Sequence, residues 1–380
     1  MKSFDVAIAG AGLIGSSIAL ELAQAGLKVA VFDRSEPGRE ASWASAGILS
    51  PAPESPAMIS MVPLAKASMN LYPSLVANVE EISGEKVGFR PKGTIDVFFG
   101  KDAISDLSTL IALHHGMGLK AEPLRPEDAR ELEPSLSPEL EAAALRPDEA
   151  SIDNRAFTHA MLSAAKQSGV EVFPGSTVTG IVKEGNRCTG LKFGREKSVN
   201  ETISAKWTVI AAGCFSAEIE GMKRFAPVRP AKGQMVSLRA DGLEVERVIW
   251  GEKIYIVPRN DGRILAGATV EYVGFDKQVT AGGIEKILSA AIEVIPEFAN
   301  ARIEETWAGL RPDSPDHLPI LGPTDIDGLV IATGHFRSGV LLTPITARLV
   351  RQWITERSVE IDWERLSPMR FVEARRETTA

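Results

Sequence analysis

The stretch Asp5-Val6-Ala7-Ile8-Ala9-Gly10-Ala11-Gly12-Leu13-Ile14-Gly15 decides how this chain is read. Val6 to Ala9 read as an apolar strand that runs through three spaced glycines into a helix-like segment, 16–25, which Gly26 stops. A second strand, Val29-Ala30-Val31-Phe32, ends on Asp33. Gly10 permits the tight strand-to-helix turn, Gly12 lets a pyrophosphate approach the backbone, and Gly15 lets helix and strand pack closely. The free amide N–H groups of the helix start face the phosphates, and the helix dipole favours their charge. Asp33 stands where a carboxylate accepts both ribose hydroxyls and repels a 2′-phosphate. Glycines at this spacing are common by themselves. Embedded in strand, helix, strand and acid, they predict a dinucleotide site.

Bulk properties narrow the partners. The chain has 380 residues, enough for two domains or one large one, with 44% hydrophobic and 24% charged residues as in ordinary soluble enzymes. A net charge of −8 and a pI near 5.4 argue against nucleic acid or an anionic membrane as the main partner. The two cysteines, Cys188 and Cys214, have no CxxC spacing and read as small buried residues of a reducing compartment. Asp5 and the glycines break any signal-peptide pattern, and no run reaches about 18 uncharged apolar residues. The expected location is the cytoplasm, with no membrane contact.

Beyond Asp33, Ala41-Ser42-Trp43-Ala44-Ser45-Ala46-Gly47-Ile48-Leu49 is dense in small residues. It either lets the backbone approach something flat or forms a tightly packed helix start. Residues 50–63, with Pro51, Pro53, Pro56 and Pro63, resist a helix or strand assignment and are expected to be a functional loop or lid. Residues 66–83 read as a helix, 92–99 as a strand, and Ile104, Leu107, Leu110 and Ile111 as one face of a helix. A short helix opens at Arg125-Pro126. A second αβ block follows: helix 155–168, strand 170–173, a hairpin turning at Glu184-Gly185-Asn186, and a buried strand 207–213 expected to rejoin the first sheet.

From Pro227 the pattern becomes antiparallel, with a hairpin around Arg259-Asn260-Asp261-Gly262 and an amphipathic helix carrying Ile284, Ile287, Leu288, Ala291, Ile292 and Ile295. A last buried strand, 329–334, feeds a helix running from near Ser338 to about Trp353. The expected organisation is a nucleotide domain in three segments (1–85, 145–222 and 310–380) and a second domain inserted twice (86–144 and 223–309). A cleft between them is the usual place for a substrate.

A flavin is favoured over a mobile nicotinamide. There is no second glycine fingerprint, and the strand at 329–334 brings a second helix N-terminus that would stabilise the negative charge of a reduced flavin. Arg311, a planar bidentate donor approached by apolar residues 307–310, suits a carboxylate. The five histidines lack metal-ligand spacing, and no G-x-S-x-G nucleophile elbow occurs, so no metal is expected.

Several motifs resemble the glycine oxidase branch of the FAD-dependent D-amino-acid oxidase family, nearly over the whole length. They are the first glycine turn with Asp33, the small-residue run 42–49, Tyr255-Ile256-Val257-Pro258-Arg259, Trp307-Ala308-Gly309-Leu310-Arg311-Pro312, and Gly334-His335-Phe336-Arg337-Ser338-Gly339-Val340-Leu341-Leu342. The last two are the most specific. The resemblance implies an α/β fold, an FAD-binding Rossmann-like domain of glutathione-reductase type with an inserted antiparallel-sheet substrate domain. It places Gly10, Gly12, Leu13, Ile14, Gly15, Asp33, Arg34, Ala41, Ser42, Ala46, Gly47, Ile48, Val178 and Gly213 at non-covalently bound FAD. His335, Phe336, Arg337, Ser338, Gly339, Val340 and Leu341 are expected to border the isoalloxazine, His335 as a neutral lining residue rather than a base.

By the same resemblance Arg311 binds the substrate carboxylate, Tyr255 donates a second hydrogen bond, and Arg337 lies near the pocket. Ile48 and Val270 depart from the family pattern and are expected to alter the pocket volume. The implied chemistry is oxidation of glycine, sarcosine or D-amino acids with dioxygen, by a homo-oligomer, with the imine feeding thiazole formation for thiamine. A dehydrogenase of D- or N-methyl amino acids with another acceptor, and a flavin-binding protein without turnover, are the competing readings.

Overall fold

The strand Ser3–Ala9 lies at the centre of one sheet, flanked in parallel by Val29–Phe32 and Ser198–Ile210. The order across that sheet is Ile320–Pro323, Leu329–Thr333, Ser198–Ile210, Ser3–Ala9, Val29–Phe32, Glu171–Phe173. A hairpin, Thr177–Glu184 with Arg187–Arg195, extends it through Ser198–Ile210. The αβ block after residue 150 therefore does rejoin the first sheet. The structure, a computed structural model, describes residues 2–53, 56–195 and 198–372.

Val6, Ile8, Val29 and Val31 pack on one face against the helices Leu13–Gln24, Val62–Ser83, Asn154–Gln167 and Thr343–Glu356. Ala7, Ala9, Ala30 and Phe32 face the opposite core with Leu191, Phe193 and Phe225. Alternate side chains thus serve two layers, as a sheet covered on both faces requires. The four central strands all end at the wall of one cavity, which Ala9, Phe32, Ala211 just beyond Ile210, and Thr333 line. Ligands of open α/β sheets bind at such carboxyl ends.

The second sheet runs Arg302–Asp313, Arg229–Arg239, Ile264–Gly267, Tyr255–Pro258, Val248–Trp250, Thr94–Phe98, Ala142–Arg146, Glu122–Leu124. Every pairing is antiparallel except Val248–Trp250 with Thr94–Phe98. Its strands run on past the expected boundaries at 144 and 309, to Arg146 and Asp313. One face carries Ile95, Val97, Val236, Ile249 and Ile256, covered by the amphipathic helix Ala281–Val294. The other face is turned to the cavity.

Local chemistry moves several element ends. Helix Asn154–Gln167 starts one residue early because the Asp153 carboxylate accepts from the amides of Arg155 and Ala156. Helix Val62–Ser83 starts before residue 66, with Pro63 in its first turn, where a missing N–H costs nothing. The final helix begins only at Thr343. Turns fill 336–342, and Phe336 has a φ of 48°. Of the loop expected at 50–63, residues 54 and 55 lie outside the described set, and Pro56–Met61 forms a 3-10 helix.

In the helix Ala103–Gly116 only Ala103 and His114 are buried, so the stripe Ile104, Leu107, Leu110, Ile111 is not a core face. Among the described residues no helix is long and apolar enough to cross a membrane.

Candidate active site

One continuous cavity of about 1130 Å³ lies between the two sheets. Every site residue named from the sequence lines it except Gly15. A Cβ on Gly15 would lie 1.9 Å from the Gly10 carbonyl oxygen. That glycine closes the helix onto the strand and stands behind the cavity wall rather than on it. Gly10 has a φ of +104° and a Cβ there would meet the Ala211 carbonyl at 2.4 Å, so its hydrogen serves both conformation and close approach.

At the nucleotide end, Asp33 accepts from the amides of Ala11 (2.8 Å) and Ser35 (3.0 Å), and burial raises its carboxyl above the usual range. The Ser42 hydroxyl accepts from the Leu13 amide at 2.9 Å, tying the small-residue loop to the helix start. Arg34 lies 3.6 Å over the Phe215 ring. Residues 41–48 are then fixed by the second sheet. Arg259 donates to the Ala46 carbonyl and to Asn154, both at 2.8 Å, and Trp307 Nε1 donates to the Ala44 carbonyl at 3.0 Å. Gly309 admits this approach, since a Cβ there would meet Ala44 Cβ at 2.3 Å. The segment 41–49 opens with a short helix, Ala41–Ala44, and its chain also walls the cavity.

The segment 334–342 is anchored from beneath. Ser68 Oγ donates to the Leu341 carbonyl at 2.6 Å and the buried Tyr72 hydroxyl donates to that of Val340. His335 is 3% exposed, with Nε2 3.0 Å from Thr346 Oγ1. Burial lowers its pKa to about 4, so the ring is neutral at physiological pH and serves as wall.

At the other end Arg311 donates to the Thr269 carbonyl at 3.2 Å and pairs with the Tyr255 hydroxyl, which also lies 3.3 Å from Met235 Sδ. Gly233 makes room for the guanidinium: a Cβ there would sit 2.2 Å from Arg311 Nη1. Arg337 enters from the 334–342 segment, 5.7 Å from the Phe336 ring. Behind Thr269, its hydroxyl donates to Glu271, which also receives Gln234 Nε2 (2.7 Å) and the buried Lys232 (3.0 Å). This network, with Gly233, Met235 and Trp250, was missed from sequence. The polar pair Lys232 and Gln234, on one face of a strand, was its one visible sign. Val270 is 40% exposed and does not line the cavity, so it does not set its volume, whereas Ile48 does line it.

The residues fit a flavin dinucleotide. A glycine cradle and a helix start sit at one end, small residues and an apolar wall follow, and an arginine faces what the ring would present. The family model described as FAD dependent oxidoreductase (DAO) matches residues 5–353. The chain belongs to this family.

It is 32% identical over 367 residues to a glycine oxidase of Bacillus licheniformis, covering 95% of this chain and 96% of that one. It is 35% identical over 358 residues to a bifunctional protein ThiO/ThiG of Trichormus variabilis, covering 93% of this chain and 53% of that one. The chain thus spans about half the length of the bifunctional relatives it matches. The solved glycine oxidase of Geobacillus kaustophilus superposes with a TM-score of 0.91 at 31% identity, over 97% of this chain and 99% of that one. The chain is an FAD-dependent oxidoreductase by family. Cys214 lines the nucleotide end, and burial pushes its thiol up to about 12, which keeps it protonated and unreactive.

Proposed function

We propose that this oxidoreductase removes two electrons from glycine and related small amines, sarcosine and D-amino acids among them. The imine then hydrolyses to the 2-oxo acid and ammonia, or methylamine when the substrate is sarcosine, and dioxygen takes the two electrons as hydrogen peroxide. The observation that carries this reading is the convergence of Arg311 and Tyr255 at the cavity end that the 334–342 segment borders.

Arg311 holds the substrate carboxylate with two parallel N–H donors, and Tyr255 Oη donates to the same group. Anchoring that end fixes which way the Cα–H points, and orientation supplies much of the rate. Bound FAD supplies the two-electron acceptor. Gly10, Gly12, Leu13, Asp33, Ser42 and Gly47 would hold its nucleotide part, and residues 335–341 its ring. Met235, Trp250 and Phe336 exclude water and favour the uncharged amine over the ammonium, so the amine proton leaves to solvent before the Cα–H bond breaks. No side chain is needed as a base, consistent with a neutral His335 already facing Thr346.

The same reading includes a homo-oligomer in the cytoplasm and an imine product that feeds thiazole formation for thiamine. The resemblance to ThiO/ThiG proteins supports the thiazole link. The test is anaerobic mixing of the holoprotein with glycine, sarcosine and D-alanine, then admission of air. Flavin bleaching with recovery and peroxide is expected. Bleaching without recovery in air would replace dioxygen by another acceptor, and no bleaching by any of the three would remove the reading.

A further inference from the structure

The cavity continues past Tyr255 along one row of the second sheet. Cross-strand partners in that row are Met235 with Gly267, Gly267 with Tyr255, Tyr255 with Trp250, and Trp250 with Asp96. Side chains of directly paired residues share a face, and neighbouring strands lie about 4.8 Å apart. Asp96 therefore stands two strands, or about 10 Å, from Tyr255 on the cavity face.

What surrounds Asp96 is a buried polar cluster outside the catalytic reading. Asp96 is 7% exposed, Arg146 5%, His114 5% and Glu149 4%. Arg146 donates to Asp96 Oδ1 at 2.9 Å and to Glu149 Oε1 at 3.0 Å, and Ser50 Oγ donates to Glu149 Oε1 at 2.6 Å. Ser50, Asp96, His114, Arg146 and Trp250 all line the cavity.

The cluster is incomplete. Among the described residues nine buried side-chain polar atoms lack a hydrogen-bond partner, and five belong here: Asp96 Oδ2, His114 Nε2, Arg146 Nε, Glu149 Oε2 and Trp250 Nε1. Asp96 Oδ2 and Arg146 Nε, 2.6 Å apart, answer each other as an ion pair, which leaves His114 Nε2, Glu149 Oε2 and Trp250 Nε1 open. Such a concentration is costly unless something is meant to fill it.

The missing partner has a definable chemistry. His114 Nδ1 lies 2.9 Å from the Leu110 carbonyl, which only accepts, so Nδ1 carries the hydrogen and Nε2 presents a bare lone pair. Burial lowers the His114 pKa, which keeps the ring neutral. Burial raises the Asp96 carboxyl to about 6, so above that pH the cluster holds two carboxylates against one guanidinium, with His114 Nε2 and Glu149 Oε2 left as acceptors.

We propose that this cluster is a second subsite of the cavity, which receives a cationic, N–H-bearing group (ammonium or guanidinium) at the far end of a longer amino-acid substrate. The proposal rests on the reading of Arg311 and Tyr255 as the carboxylate anchor. A chain held there by its carboxylate reaches Asp96 with its other end, and the Trp250 indole face along the way suits a passing cation. A substrate with a distal carboxylate meets like charge and is rejected.

The test compares D-lysine, D-norleucine and D-glutamate on the holoenzyme, with glycine as control. Norleucine matches the lysine chain and lacks the terminal ammonium. The kcat/KM for D-lysine is expected to exceed that for D-norleucine at least tenfold, and D-glutamate to be worst. In Asp96→Asn, and independently in His114→Leu, the lysine-to-norleucine ratio falls toward one. Anaerobic calorimetric titration of the same ligands gives the same order in Kd without turnover. Equal kcat/KM for lysine and norleucine in the wild type, or a ratio unchanged in both variants, overturns the subsite while glycine oxidation leaves the carboxylate anchor standing. If no amine reduces the flavin, the anchor reading falls, and equal Kd for lysine and norleucine removes the subsite with it.

Discussion

The two ends of the cavity are built from different materials. The nucleotide end is backbone: glycine hydrogens, helix amides and carbonyls packed too closely for a Cβ, as at Gly10 and Gly15. The amine end is side chain: Arg311, Tyr255, Trp250 and Asp96 project from four strands of one sheet face. A backbone site is specified by what is missing, so it fails when atoms are added. A side-chain site is specified by what is present, so it fails when chemistry is removed.

That contrast is broken most severely at Gly15. With a Cβ only 1.9 Å from a backbone oxygen, Gly15→Ala must part helix from strand. It is expected to cost about 3 kcal/mol or more and to yield protein without yellow colour, read by absorbance and by denaturant melting. A variant that keeps full flavin occupancy would mean that close packing there is dispensable.

Next in size is the seam between the ends. The folded pKa of His335, about 4, lies below the unfolded value of about 6.5, so the fold favours the neutral ring. That contribution is complete above pH 6.5 and is lost as the pH falls toward 4. The wild type is expected to lose about 3 kcal/mol more than His335→Gln over this window, measured by chemical denaturation at each pH. Parallel pH curves would show that His335 is not held neutral.

The smallest effect sharpens the contrast by adding atoms at the amine end. Gly233→Ala pushes a methyl toward the Arg311 guanidinium, a flexible tip that can shift. KM for glycine is expected to rise about 10- to 100-fold, with flavin content unchanged, equivalent to 1.4 to 2.8 kcal/mol. Loss of flavin instead would show the two ends are not separable.

The same division explains what the sequence disclosed. The glycine turn was legible because its constraints act between residues five apart on one chain. The strand and hairpin patterns were legible because side-chain alternation is local. Helix Ala103–Gly116 was legible as a helix, but its apolar spacing did not say what it faces. His114 points to the cavity while Ile104 is 63% exposed. The Asp96 cluster was not legible. Asp96, His114 and Arg146 come from a strand, a helix and a second strand, and only sheet register and the packing of that helix make them neighbours. An aspartate flanked by Ile95 and Val97, in a strand with buried alternation, was the one sequence-level hint.

The central claim is that the amine end works through one guanidinium and is independent of cofactor binding. Arg311→Ala, assayed with glycine alongside flavin occupancy, tests it directly. The account predicts a fall in kcat/KM of about 100- to 1000-fold, the cost of removing a charge-assisted pair, with bound FAD unchanged. An unchanged kcat/KM for glycine would contradict it.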